Sequence, residues 1–263
     1  MTAYLAILQS RLSILFQYRL AAFAGLCTQL FWGAVKVMIF KAFYSNSIIS
    51  EPISLSQTIT FIWISQALYS LIPWNVDKEL EFQIKKGDIA YELTRPIDLY
   101  WMWFFRSIAM RIMPTLLRAI PLFIVVFFLW GWPHPVSFNA GILFFVSLLF
   151  SFLLSAAITA FLITTFFWTI SGEGIQRLMP HFITLLSGSI IPLPLFPKWL
   201  QPIINWLPFR GIIDIPSRVY TGIIPLNEVI YYLVFQIAWF FIFLLLGILL
   251  MKKALKTFII QGG

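Results

Sequence analysis

From Val229 to Met251 the chain runs without one charged side chain, and its centre, Phe240-Phe-Ile-Phe-Leu-Leu-Leu-Gly-Ile-Leu-Leu250, holds nothing polar. A helix crosses the hydrocarbon of a bilayer in ~20 residues. In lipid every backbone polar group must be satisfied within the segment, which leaves a transmembrane helix as the fitting structure for this run. Five more stretches read the same way. The first runs from Leu20 to Phe43 and contains Lys36 and Lys41; the second runs from Leu55 to Trp74 and closes on Pro73-Trp74. The third, Thr115 to Trp132, carries the run Leu122-Phe-Ile-Val-Val-Phe-Phe-Leu-Trp130, and the fourth is Ala140 to Ile170. The fifth, Leu178 to Leu195, is the weakest, being broken by Pro180, Ser187, Gly188, Ser189, Pro192 and Pro194. The expected fold is therefore an all-α polytopic membrane protein of six transmembrane helices.

Composition agrees. Of 263 residues 60% are hydrophobic and 11% charged, against ~45–50% and ~25% in an ordinary soluble domain. So few charges could not solvate a soluble fold. The net charge of +8 would suggest nucleic acid in a soluble protein. Here it reads as the basic bias that orients membrane proteins and meets anionic headgroups, so no nucleic-acid partner is expected.

With the N-terminus placed in the cytoplasm, Arg11, Arg19, Lys78, Lys85, Lys86, Arg95, Arg106, Arg111, Arg177, Lys252, Lys253 and Lys256 fall inside, and Lys41, Lys198, Arg210 and Arg218 outside. That asymmetry, with an even number of spans, places both termini in the cytoplasm. Residues 1–19 do not read as a cleavable signal, because Gln9, Arg11, Gln17 and Arg19 interrupt any apolar core. Leu5, Leu8, Leu12, Leu15 and Phe16 recur at helical spacing opposite Gln9, Ser10, Ser13 and Gln17, which predicts an amphipathic helix in the cytoplasmic interface. Residues 75–113 form a charged cytoplasmic loop, and residues 196–227 a proline- and tryptophan-rich outer segment of short broken helices. No repeat or low-complexity linker divides residues 1–263, which read as one membrane domain.

Chemistry-bearing motifs are sparse. There is no G-x-x-x-x-G-K-[ST] loop, no H-E-x-x-H and no C-x-x-C, so no catalytic residue, metal site or cofactor is assigned to the chain itself. Cys27 reads as a small buried hydrophobe, His134 as a solvated turn residue and His181 as an interface histidine. On one helix His181 lies eight residues from Ser189, roughly 12 Å along the axis, too far to serve as its base. Lys36 and Lys41 either snorkel or line a translocation route, and Glu173 and Arg177, spaced i, i+4, form a local ion pair or meet a partner subunit. No buried acid recurs across the spans, which disfavours ion-coupled transport.

The cytoplasmic loop is the most informative segment. Glu81 and Lys85 make an acid-then-base i, i+4 pair on a first helix, Gly87 can end it in the left-handed conformation, and Asp88 can cap a second, short helix that Pro96 forbids from continuing. Ile89 and Leu93 share one face of that helix. It is either an amphipathic interface helix or a rigid knob offered to a cytoplasmic partner.

Lys86-Gly-Asp-Ile-Ala-Tyr-Glu-Leu-Thr-Arg-Pro96 resembles the Gly-x-(Ile/Leu)-x-x-x-Leu-x-x-Pro segment after the second span of ABC-2 type transporter permeases. The outer run Ile191-Pro-Leu-Pro-Leu-Phe-Pro-Lys-Trp-Leu-Gln-Pro-Ile-Ile-Asn-Trp-Leu-Pro-Phe209 is similar to a second pattern of the same family. The resemblance implies a permease subunit of an ATP-binding cassette exporter, in a bacterial inner membrane. It would move hydrophobic or amphipathic cargo, with ATP and magnesium held by a separate pair of ATPase subunits. It further implies a second permease subunit, identical or paralogous, and a surround of membrane lipids. Gly87, Asp88, Ile89, Glu92, Leu93, Arg95 and Pro96 would meet the ATPase as the coupling helix. Pro197, Trp199, Trp206, Pro208 and Phe209 would belong to an outer gate that dips back toward the membrane. A non-transporting scaffold or sensor, or an intramembrane enzyme, is the competing expectation.

Overall fold

The computed structural model describes residues 2–46, 51–74, 77–131, 134–168 and 173–257, and among them every regular element is helical. In chain order these are α1 (Thr2–Gln17), α2 (Arg19–Asn46), α3 (Leu55–Ala67), α4 (Lys78–Lys86), α5 (Ile89–Leu93), α6 (Leu99–Trp130), α7 (Phe138–Thr164), α8 (Glu173–Leu186), α9 (Gln201–Trp206), α10 (Asp214–Tyr220) and α11 (Val229–Thr257).

Among the described residues four helices, α2, α6, α7 and α11, are long and apolar enough to cross a membrane. The other two expected spans form shorter helices. Segment 55–74 is the 13-residue α3 followed by a 3-10 turn at Tyr69–Leu71, and segment 178–195 contributes to the 14-residue α8. At ~1.5 Å per residue each covers about 20 Å, short of the ~30 Å hydrocarbon core. Such short helices, and the irregular backbone that continues them, are tolerated at membrane depth only inside protein. Accordingly α3 is buried almost throughout, from Thr60 to Ala67.

The third span begins earlier than its sequence suggests. The helix does not start at Thr115 but at Leu99, and it takes in Pro114 and Pro121. Residues 99–113, expected in the cytoplasmic loop, are the first half of this helix. Arg106 and Arg111 belong to the charge that made residues 75–113 read as a loop, yet both are buried by pairing across the bundle.

Local chemistry sets the helix ends. Ser54 and Gln57 form a reciprocal capping box at α3 (3.2 and 3.0 Å), and Asp98 and Ser137 accept hydrogen bonds from the first turns of α6 and α7. The helices pack in three groups. Leu26, Val37, Trp63, Leu122 and Val126 join α2, α3 and α6; Gly33 leaves room there for the Trp63 ring. Ile64, Phe144, Leu154, Ile183, Ile212 and Val219 gather α3, α7, α8 and α10 toward one end. Leu80, Ile89, Trp103, Ala160 and Met251 gather α4, α5, α6, α7 and α11 toward the other. Large apolar side chains still face outward from the long helices, including Phe31 and Met38 on α2, Phe128 on α6, Phe145 on α7 and Phe241 on α11. Hydrocarbon is the solvent that suits such a surface.

A polar ladder runs through the middle. Ser147, Ser151, Ser155 and Thr159 recur every fourth residue on α7, all fully buried, and each binds a different element. Ser147 Oγ donates to Gln236 on α11 (2.9 Å), Ser151 Oγ to the Gly211 carbonyl (2.9 Å), and Ser155 Oγ to the Leu71 carbonyl. Thr159 Oγ1 accepts from Arg111 (2.9 Å), which also donates to the Ile72 carbonyl (3.2 Å). The backbone freed where α3 stops, and where the outer segment turns, is thereby satisfied from α7.

Candidate functional site

The two segments that the sequence marks for function lie at opposite ends of the bundle. One end gathers α1, α4, α5 and the start of α6. The other gathers the ends of α2 and α6, the turn before α7, and residues 190–232, tied by hydrogen bonds such as Val136 N–H to the Tyr220 carbonyl (3.3 Å) and Gln57 Nε2 to the Thr221 carbonyl (3.3 Å).

At the first end, Asp77 caps α4 by accepting from the Glu79 and Leu80 amides (3.1 and 3.4 Å). Gly87, at φ 80°, closes that helix in the left-handed region. Arg106, on α6 and nearly buried, donates to Asp77 through Nε and Nη2 (2.9 and 2.6 Å) and to Glu79 (2.9 Å). Arg11 of α1 reaches the same Glu79 at 2.8 Å. The Arg11 guanidinium, hydrogen-bonded to it, holds the Glu79 carboxyl below the ordinary carboxylate range; Arg106 acts in the same direction, while partial burial opposes them. One ionic hub thus joins α1, α4 and α6.

α1 packs along α6 on Ile7 and Leu8, with Tyr4 stacked on Phe105 (5.6 Å, 16°) and its hydroxyl accepting the Asp98 N–H at 2.9 Å. Leu5 and Phe16, expected on the apolar face of an interfacial helix, point away from the bundle, while Tyr4, Ile7, Leu8 and Arg11 form the face that meets α6 and the hub.

The hub holds the α4–α5 knob as follows. Leu80, Ile84 and Ile89 turn inward beside Trp103 and Met251. Ile89 is fully buried in the chain's own core, so it seats α5 and is not free to insert into a partner as expected. The outward apolar groups are Phe82 (54% exposed), Tyr91 (76%) and Leu93 (41%). Asp88 occupies the cap position of α5 but makes no side-chain capping bond, having αR backbone angles. Glu92 pairs locally with Arg95 (3.2 Å), and Gly87, Arg95 and Pro96 stand at the surface or its edge. The Lys85 side chain of the expected Glu81–Lys85 pair lies outside the described residues.

At the other end, the outer segment is anchored rather than loose. Gln236 Nε2 donates to the Gly211 carbonyl (2.7 Å) and to Ser147 O (3.1 Å) inside the bundle. Asp214, fully buried, faces Arg218 (3.3 Å) and Arg210 (3.8 Å), and Arg210 lies over the Tyr232 ring at 5.0 Å. Of the expected gate residues, Pro208 is buried and Phe209 packs on the core, whereas Pro197, Trp199 and Trp206 are exposed. Trp199 precedes α9 rather than belonging to it, yet Trp199, Ile203 and Trp206 all face outward while Ile204 turns in.

The intramembrane charges separate. Lys36 Nζ donates to the Ser189 carbonyl at 2.7 Å, just past the end of α8, whereas Lys41 is exposed. Arg118 lies against α2 at Gly25, and Cys27 is exposed rather than buried. Glu173 and Arg177 open α8, but their side chains lie outside the described residues. His181 sets its ring edge-on to Trp74 (5.3 Å, 84°). Reading the sequence missed Arg106, Arg111, Asp77, Glu79 and Gln236 as organising residues. Of these only Gln236 carried a signal: a glutamine, and a four-residue serine period facing it, inside otherwise apolar helices.

A family model described as "ABC-2 family transporter protein" matches residues 30–262. No curated protein matches the chain.

Proposed function

The chain belongs to the ABC-2 family of transporter proteins, and from that premise we propose that it is the membrane-spanning permease of an ATP-driven exporter. It works with a cytoplasmic pair of ATPase subunits that hold ATP and magnesium, and with a second permease subunit. Its cargo is hydrophobic or amphipathic, both termini lie in the cytoplasm, and the membrane is a bacterial inner membrane. The observation that carries this reading is the knob. α4 and α5 are pinned from behind by Asp77–Arg106–Glu79–Arg11 and by the buried Ile89, while Phe82, Tyr91 and Leu93 face away from the bundle. A helix of five residues is too short to persist alone. Seated this way, it transmits a push on its outer face into α6 and α1 as one body. The exposed Trp199–Ile203–Trp206 face suits the outer headgroup boundary, where release would occur.

The test replaces Tyr91 by Ala together with Leu93 by Glu, since neither side chain is buried in the permease. Insertion and thermal stability should stay at wild-type values. ATPase co-purification in mild detergent and ATP-driven flux should both fall at least tenfold. Wild-type values for both would remove the coupling role of α5 and the chief support for transport. A non-transporting scaffold would keep the ATPase and show no flux even in the wild type.

A further inference from the structure

Where α8 stops at Leu186, α2, the end of α3 and α8 enclose a cavity of about 530 Å³. Gln29, Trp32, Lys36, Trp74, Thr184 and Ser189 line it. Gln29 is only 4% exposed, and neither its amide nitrogen nor its oxygen has a hydrogen-bond partner among the described residues. The same holds for Trp74 Nε1 and Ser189 Oγ. Four polar atoms from three elements therefore converge on one space with their hydrogen bonds unmade, at a depth where water is scarce and such groups are costly.

Charge narrows the occupant. Lys36 carries three N–H donors and directs one to the Ser189 carbonyl at 2.7 Å. That bond answers the negative end of α8, and two donors remain. Among the described residues no carboxylate lines the cavity. Lys36, Gln29 Nε2, Trp74 Nε1 and Ser189 Oγ all donate, and a group with several acceptor oxygens and negative charge satisfies them together. Trp32, half exposed, stands where an apolar body would leave the cavity for the surrounding hydrocarbon.

We propose that this cavity binds the head of an anionic amphiphile, a phosphate or carboxylate joined to a hydrocarbon body, with Lys36 as its counter-charge and Gln29 as its hydrogen-bonding clamp. This names the substrate class of the transporter proposed above, and only its standing as cargo rests on that reading. The binding itself needs neither ATP nor a partner.

The experiment uses the full chain in phosphatidylcholine nanodiscs with radiolabelled dodecyl phosphate as probe and dodecyltrimethylammonium as its cationic counterpart. Wild type should bind the phosphate saturably and at least tenfold more tightly than the cation. Lys36→Met should weaken phosphate binding at least tenfold, Lys36→Arg should hold it within threefold, and Gln29→Leu should weaken it about fivefold. Should Lys36→Met unfold through loss of its bond to Ser189, Gln29→Leu decides, because the Gln29 side chain bonds nothing among the described residues. Equal affinity for the cation, or wild-type affinity in Gln29→Leu and in folded Lys36→Met, overturns the site. Adding the co-purified ATPase in proteoliposomes separates the two sources of such a ligand. ATP-driven movement of the bound phosphate identifies cargo, and its retention, with an anionic phospholipid competing for the space, identifies a resident lipid; both place an anionic head in the cavity. Loss of the site with flux of other cargo intact leaves the transporter standing, whereas saturable binding without flux of any cargo removes the transporter and leaves the site.

Discussion

Gln236 is the residue on which the outer half of the molecule depends most directly. It is fully buried in an otherwise apolar helix and binds Ser147, Ser151 and the Gly211 carbonyl at once. Gln236→Leu keeps the volume roughly but leaves the Gly211 carbonyl with Ser151 alone. An unmade buried bond costs ~1–3 kcal/mol, while bonds between membrane helices average nearer ~0.6 kcal/mol. A loss of about 1–2 kcal/mol is expected, read as a lower melting temperature in detergent. Ser147→Ala should cost less, because Gln236 keeps its other partners. Equal melting of wild type and Gln236→Leu would mean that the outer segment is held by apolar packing alone. Gly188 poses the opposite case. Its φ of 83° lies in the left-handed region, and a Cβ there would stand 3.3 Å from the Phe61 ring and 3.4 Å from Asp214. Gly188→Ala therefore carries both backbone strain of ~1–2 kcal/mol and crowding, and should destabilise more than Ser187→Ala. From sequence Ser187, Gly188 and Ser189 read as a break in the fifth span; the structure uses the glycine to end α8 and aim the chain into the outer segment.

Among elements, the junction of α1, α4 and α6 is where sequence reading was least complete. The knob's termini were legible, since Gly87 and the proline after Arg95 are local signals. Its support was not, because the hub draws Arg11, Asp77, Glu79 and Arg106 from three distant stretches and no periodicity links them. Arg106→Met leaves the largely buried Asp77 without its cation, a cost of roughly 3 kcal/mol, while the half-exposed Glu79 keeps Arg11. The expected result is faster proteolysis within residues 77–98, with ATPase binding lost although no residue of the outward face has changed. Wild-type cleavage rates would show the knob to be held by Leu80 and Ile89 alone. Acid should act on the same joint through Glu79. Its folded value is depressed, so its contribution is whole above the unfolded value of ~4.3 and lost as pH falls through the lower, folded one. Attachment of α1, followed by protease access to residues 2–17, should be level from pH 7 to 5 and weaken below about pH 4. Glu79→Gln should flatten that response; an unchanged acid curve would assign it elsewhere.

For the whole molecule, helix content and membrane character were legible from composition and apolar runs alone, because lipid leaves a spanning chain few alternatives. The lengths of the spans were harder to read. The α3 segment looks like its neighbours in sequence and the α8 segment like a weaker one, yet each is short because the bundle, rather than lipid, surrounds its end and supplies the missing hydrogen bonds from Ser155, Arg111 and Lys36. The same burial tests the orientation derived from charge. Arg106 and Arg111 were counted among the cytoplasmic cations, but both are internal to α6 and paired. Setting them aside leaves the basic excess of the α1–α4–α5 end resting on the exposed Arg19, Lys78, Lys86, Arg95, Lys252, Lys253 and Lys256. These still outnumber the exposed Lys41 and Lys198 of the other end, so the orientation is retained. Cysteine labelling decides it. The exposed native Cys27 is first replaced by Ala, giving a background free of thiols. Single cysteines then go to Lys86 and Arg95 at one end and to Lys198 and Asn227 at the other, all exposed and outside the four long helices. An impermeant maleimide added to intact cells should modify the Lys198 and Asn227 positions and spare the other two until the membrane is opened. Because each pair sits at one end of a single packed bundle, the two members of a pair must agree. Agreement with the signs reversed would invert the protein and place the knob outside, beyond reach of any cytoplasmic ATPase. Disagreement within the outer pair would instead detach residues 190–232 from the end where Gln57, Val136 and Gln236 hold them.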